Sequence, residues 1–319
     1  MQRKRSIDWF VRKLKVLNVD SNRKRYTTGK APHKPTLLLS LITLHDNDRA
    51  DLRNIKADLY LRETWSEMWN CLEYPRAGPI HLPMYHMRSD GFWDVDLKKG
   101  VIPNQPQSLT TLEQMSERIS VDEELIGYID NRESRDRIVS AILNGGYYSY
   151  DERVKLIEKM EELSGSFRYE EDLIRQVKRE FTPEVQQGSG DLIPSRDPAF
   201  RRVVLGAYDE TCAVCGMRLQ TSSGISVIDA AHILPFNRFH NDDIRNGMAL
   251  CKMHHWLFDR GILSVDNNYR ILISKHIEKE HPENIISGYH KLDLRLPEAL
   301  EYYPHPGAVE WHRENVFEK

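Results

Sequence analysis

Three stretches decide how the C-terminal part of this chain folds: Cys212-Ala-Val-Cys215-Gly216, Val227-Ile-Asp229-Ala-Ala-His232-Ile-Leu-Pro235, and Arg245-Asn246-Gly-Met-Ala-Leu-Cys251-Lys-Met-His254-His255-Trp-Leu-Phe-Asp259. Two thiolates at Cys-x-x-Cys spacing converge on one ion only if the chain turns sharply, and the following glycine relaxes the backbone there. Their partners should be short-spaced too, and Cys251-x-x-His254 supplies them. Cys212, Cys215, Cys251 and His254 therefore form a candidate structural Zn2+ site of the Cys3His type. The fourth cysteine, Cys71 in WNCLEY, reads as an ordinary buried thiol. Between the two halves an apolar, strand-like run leads into His232, and Asn246 and His255 follow.

Working outward, Phe200–Tyr208 reads as a short amphipathic helix entering the first cysteine pair. Before it lies PEVQQGSG at 183–190, the best linker signal in the chain, which puts a domain boundary near 183–195. Leu156–Phe181 reads as a charged, exposed connecting helix. Upstream, Ile7–Leu17, Thr36–Leu44, Ala57–Leu72, Leu109–Leu125 and Ser134–Leu143 read as helices, Thr36–Leu44 as a buried one starting after Pro35. Tyr74–Val101 is rich in Pro, Gly and aromatic residues, with Gly91–Val95 strand-like. The expected fold class is α+β. A mainly helical N-terminal domain with a small sheet spans residues 1–165, a helical connector and linker 166–195, and the zinc-knuckle domain 196–319.

The 319 residues carry a net charge of −3 and a mean hydropathy of −0.59. No apolar run approaches the ~18 residues of a membrane span, and MQRKRSIDWFVRK has no apolar core of a signal peptide. With a reduced thiol cluster, this points to a cytoplasmic protein. The even overall charge hides a local excess: residues 1–35 hold eleven Lys/Arg against two acids. Such a segment is either a solvated basic arm or a footprint for phosphates.

CAVCG, DAAHILP and RNGMALCKMHHWLFDRGIL resemble the HNH endonuclease family over about 70 residues. The resemblance implies a ββα-metal unit with His232 as general base, Asn246 as the middle residue and His255 as a ligand of a catalytic Mg2+ or Mn2+. The chemistry is coherent: phosphodiester cleavage needs a base near neutrality to activate water, and a hard cation at the phosphate. His255 and Asp259, four apart, share a helix face and can grip one ion. The family often has His or Asp just before the base, where this chain has Ala231, so Asp229 is a further candidate ligand. It also often ends on His, where this chain has Asp259.

PHKPTLLLSLI, followed about fifty residues later by PMYHMRSDGFW, resembles the sulfur-binding domain of phosphorothioate-dependent, McrA-type HNH restriction endonucleases. It implies that His33 and Lys34 meet the DNA backbone and that Pro83 and its neighbours line an apolar cup. Arg25, Lys30, His81, Tyr85 and Arg88 complete the candidate DNA-binding set. A modified base would instead need an aromatic pocket, from Tyr85, Phe92 or Trp93. The expected function is a modification-dependent restriction endonuclease acting on double-stranded DNA as a homodimer, with phosphorothioate favoured. The alternatives are an HNH enzyme reading 5-methyl- or 5-hydroxymethylcytosine, and a non-catalytic zinc-containing DNA-binding protein.

Overall fold

The computed structural model describes residues 5–21, 23–75, 77–183, 196–221, 225–280 and 284–319. The expected linker at 183–195 lies almost wholly outside the described residues. The chain forms two compact units, residues 1–164 with 221–225, and residues 165–220 with 226–319. Among the described residues no helix is long and apolar enough to cross a membrane.

The first unit opens with α1 (Ile7–Lys15), whose apolar stripe buries Phe10 and Leu14. Ser6 caps it, accepting from the Trp9 amide. α2 (His33–Asp46) is buried from Lys34 through Leu44, as the unbroken apolar run requires. It starts two residues before Pro35, which sits in the first turn, where its missing N–H costs nothing. α3 (Leu59–Asn70) is capped by Asp58 and buries Trp65, Met68 and Trp69. Cys71, at its C-cap, is half-buried and bonds the Met68 carbonyl.

The Pro- and aromatic-rich segment contains α4 (His81–His86) and a 3₁₀ turn before a strand, β1 (Trp93–Leu97), that overlaps the strand-like Gly91–Val95. One expectation for this unit changes. The helix expected over Leu109–Leu125 is broken. α5 (Leu109–Met115) stops where the Ser116 hydroxyl bonds the Leu112 carbonyl. β2 (Ser116–Val121) then pairs antiparallel with β1, Trp93 opposite Val121. Pairing and burial of Ile119 and Val121 override the helical spacing that runs on from Leu109 and Leu112. α6 (Glu123–Asp130) and α7 (Arg132–Leu143) follow.

α8 (Tyr150–Gln176) is the charged helix expected as an exposed connector. It is instead deeply packed, burying Leu156, Leu163, Phe167 and Leu173 beneath its charged surface residues.

The second unit begins within α8 and continues with α9 (Arg196–Ala207), buried at Phe200, Arg202, Val203, Val204 and Leu205. Arg202 pairs with Glu170 of α8 and donates to Ser166, and the Arg202 and Glu170 side chains are fully buried. After the cysteine knuckle come β3 (Ile228–His232), α10 (Phe236–Phe239), β4 (Gly247–Cys251) and α11 (Lys252–Asp259). β3 and β4 form an antiparallel pair that runs straight into α11, giving a ββα unit. β5 (Leu263–Val265) and β6 (Ile271–Ile273) make a second small hairpin, and α12 (Lys275–Glu280) and α13 (Pro306–Asn315) complete the unit. The fold is a mixture of helices and small two-stranded sheets.

Candidate active site

The register of one strand pair sets out the site. Ile228 faces Cys251 at one end and His232 faces Gly247 at the other. Four residue steps separate the ends, roughly 13 Å at strand rise. One end carries the cysteine cluster and the other carries the histidine.

At the first end, Cys212, Cys215, Cys251 and His254 bring their ligand atoms within 4.8 Å of one another. His254 is buried and turns Nδ1 toward both sulfurs, 3.1 Å from Cys251 and 3.5 Å from Cys212. The knuckle is fixed by the Gly216 and Cys212 amides, which bond the Cys212 and Met217 carbonyls. Ala213 bonds the Ala249 carbonyl of β4, tying the knuckle to the strand pair. Gly216 sits at φ +70, where a side chain would be strained and would press on Arg295. Three soft sulfurs and one imidazole nitrogen are the donor set that Zn2+ prefers in closed structural sites, so the residues fit it.

At the second end, the His232 ring stacks face to face on Phe200, with centroids 4.0 Å apart. Gly247 makes this possible. A Cβ there would lie 2.6 Å from Val204 and 2.9 Å from the Phe200 ring, so only glycine lets α9 close over the strand. His232 Nε2 lies 3.0 Å from Asp242 Oδ1. Burial pushes the Asp242 carboxyl upward, but its hydrogen bond to His232 and the charge of Arg196 hold it below the usual range. An ionised carboxylate only accepts, so Nε2 carries the hydrogen and Nδ1 is the free, basic nitrogen of the neutral ring. The His232 side chain keeps 21% exposure, enough for water to reach it.

Asn246 is fully buried and pins the chain after His232. Its Oδ1 accepts from the Leu234 amide at 2.8 Å, and its Nδ2 donates to the Leu234 and Asn241 carbonyls. Ala231 is also fully buried, so the position before His232 faces the core.

His255, on α11, is flanked on both nitrogens. Asp229 lies 3.5 Å from Nδ1 and Asp259 3.5 Å from Nε2. An ion held at Nε2 is on the far side of the ring from Asp229, so the two acids and His255 do not converge on one point. Asp229 instead also pairs with Arg201 at 2.9 Å and with Lys252. Although burial raises its carboxyl, the bonds to His255 and Lys252 and the charges of Lys252 and Arg201 bring it down to about 2. Among the described residues, the Cys3His set is the one group with three or more converging donors.

Residues 212–266 match the family model described as HNH endonuclease. This stretch is an HNH endonuclease domain. HNH nucleases use divalent metals. No curated protein matches the chain. A solved structure titled "Modification dependent TagI restriction endonuclease" is 22% identical, covers 40% of this chain and 44% of that one, and has a TM-score of 0.31. The chain thus spans less than half of that protein.

Around the HNH domain's His232, sequence reasoning missed Asp242, Arg196, Phe200 and Gly247. Only Asp242 left a signal, as an acid in the Asn-Asp-Asp run just before Asn246.

The N-terminal candidates are placed differently from the expectation. Lys34 is buried, and its Nζ bonds Asp90 at 2.6 Å and Ser89 at 3.3 Å. His81, Pro83 and Tyr85 are buried in and around α4, so Pro83 lines no open cup. His33 packs against Trp69, with centroids 4.4 Å apart, and near Trp65 and Tyr26. Phe92 and Trp93 are core residues, which removes them and Tyr85 from any base pocket. Arg25 and Arg88 are exposed, and Lys30 is half-buried over the Tyr147 ring. Arg88 stacks 3.9 Å over the Tyr85 ring.

Proposed function

We propose that the chain is a modification-dependent DNA endonuclease, reading DNA with the unit built on residues 1–164 and cutting it with the HNH domain. The observation that carries the catalytic part is the bond from His232 Nε2 to Asp242, which leaves Nδ1 free on a partly exposed ring. In this reading His232 Nδ1 removes the proton from the attacking water. Asp242 keeps the ring in the correct tautomer, and Asn246 holds the backbone that carries it. Asp229 accepts the Nδ1 hydrogen of His255 and aims Nε2, beside Asp259, outward. A divalent cation held by His255 and Asp259, Mg2+ or Mn2+, would supply charge neutralisation at the scissile phosphate and the departing 3′ oxygen. The Cys3His cluster holds Zn2+ and serves the fold.

The modification favoured is a phosphorothioate backbone. What supports DNA reading by this unit is a pair of exposed cations beside the first turn of α2: Arg25, whose charge acts on His33, and Arg88, next to the Ser89 that bonds Lys34. A thiophosphate is softer and less hydrated than a phosphate, so apolar neighbours can accept its sulfur while cations hold its charge. Cutting two strands needs two sites, which a homodimer supplies. The free thiols of the cluster suit the cytoplasm.

The test is digestion of matched phosphorothioate, 5-methylcytosine, 5-hydroxymethylcytosine and plain DNA with Mg2+ or Mn2+. Cleavage confined to the phosphorothioate substrate is expected. Equal cleavage of plain DNA would sink the modification-dependent reading.

A further inference from the structure

We infer that Tyr169 and Arg196 are positioning residues for the reaction, fixing His232 through Asp242. The inference rests on His232 being the base.

Asp242 divides its oxygens between two tasks. Oδ1 accepts from His232 Nε2 at 3.0 Å. Oδ2 accepts from the Tyr169 hydroxyl at 3.0 Å, and from Arg196 Nε at 3.0 Å and Nη2 at 2.8 Å. With Oδ2 occupied by three donors, only Oδ1 is left for the imidazole. The carboxylate plane, and with it the ring, is set from outside. Burial first, and the charge of Asp242 second, push the Tyr169 hydroxyl up to about 12, so it stays protonated and donates. Arg196 is braced in turn by Phe236, whose ring its guanidinium overlies at 4.6 Å, and Phe236 also flanks His232.

The two residues come from elements that cannot slide apart cheaply. Tyr169 is on α8 and Arg196 begins α9, and the fully buried Glu170–Arg202 pair joins these helices one residue from Tyr169. Breaking such a pair leaves a buried charge without compensation.

Arg196 has a second effect. It sets a positive charge against the Asp242 carboxylate that bonds the imidazole. The charged and titratable groups facing the dyad are Asp242, Arg196 from α9 and Tyr169 from α8, while Phe200 and Phe236 cover the ring with hydrocarbon. Taking away either donor leaves the carboxylate more negative, favours the imidazolium, and moves protonation of the base to higher pH.

The experiment measures initial DNA-nicking rates of the full chain against pH for wild type, Tyr169→Phe and Arg196→Gln, with Arg196→Lys as the conservative variant. Each is made also in an Asp242→Asn background, and melting temperatures are recorded. We expect kcat to fall about tenfold with KM within about twofold. The acidic limb should rise by about half a pH unit for Tyr169→Phe and about one for Arg196→Gln. Arg196→Lys should restore most of the limb, and neither change should cost anything further once Asp242 is Asn. Wild-type kcat and limb in both variants would overturn the inference, as would a full additional loss in the Asp242→Asn background. A His232→Ala arm separates the premise: wild-type cleavage there removes His232 as base, whereas an inactive His232→Ala beside an unaltered Tyr169→Phe removes only the positioning role.

Discussion

Asp242 Oδ1 lies 3.0 Å from His232 Nε2, and this bond leaves Nδ1 as the ring nitrogen open to the proposed role of base. Replacing Asp242 by Asn keeps the shape but lets the side chain donate, which favours the wrong tautomer. We expect Asp242→Asn to lower kcat roughly 100-fold or more, with DNA binding retained. A nicking rate near wild type would contradict the tautomer argument.

Gly247 faces His232 across the strand pair, and its missing side chain admits Phe200. Gly247→Ala should push Phe200 off the His232 ring, destabilise the domain by about 1–3 kcal/mol and reduce nicking. Melting curves and rates measured together check it; an unchanged melting temperature with full activity would mean that α9 yields freely.

The cysteine cluster should hold one zinc per chain. Cys212→Ser or Cys251→Ser, or strong chelation, should lower the melting temperature of the HNH domain sharply, because structural zinc carries folding energy. Cys71→Ser should retain the metal, since Cys71 lies outside the cluster. Metal analysis of the three variants decides the point.

Lys34 and Arg88 should part company. Arg88→Ala should weaken DNA binding and lower the salt slope by about one, without loss of stability. Lys34→Ala leaves the buried Asp90 with the Asn18 amide but without its cation, and should cost roughly 3–5 kcal/mol of stability. Salt titrations of binding and denaturant unfolding of the two variants separate a DNA contact from a structural ion pair.

Burial, helped by the charge of Arg25, pushes the His33 imidazole down to about 4. The unfolded chain, with a histidine pKa of about 6.5, takes up the proton first on acidification. Stability is therefore full above about pH 6.5 and falls toward pH 4, by at most roughly 1.4 kcal/mol per pH unit from this residue. His33→Phe should flatten the stability curve in that window. Denaturant unfolding at pH 7 and pH 5 reads the difference.

What the sequence made legible was local. The Cys-x-x-Cys and Cys-x-x-His pairs meet because short spacing on a turn and a helix start leaves them little choice. The β3–β4–α11 order is the one that the HNH resemblance implied, and the apolar, strand-like run leading into His232 is β3. Asp242 left only the weak signal of an acid shortly before Asn246, and its contacts with Tyr169 and Arg196 were illegible for the opposite reason. These residues come from three elements far apart in sequence, and each residue type is common on any surface. The N-terminal motifs gave residue types but not exposure: Lys34, His81, Pro83 and Tyr85 fill the interior, and only packing shows that. The break at Ser116 depended on the partner strand β1, which no local pattern announces.

The most direct test of the central claim is plasmid nicking with Mg2+ or Mn2+ by wild type and His232→Ala at equal, verified DNA binding. Wild type should cleave, and the variant should lose at least about 100-fold in rate. Cleavage by His232→Ala at the wild-type rate would contradict it.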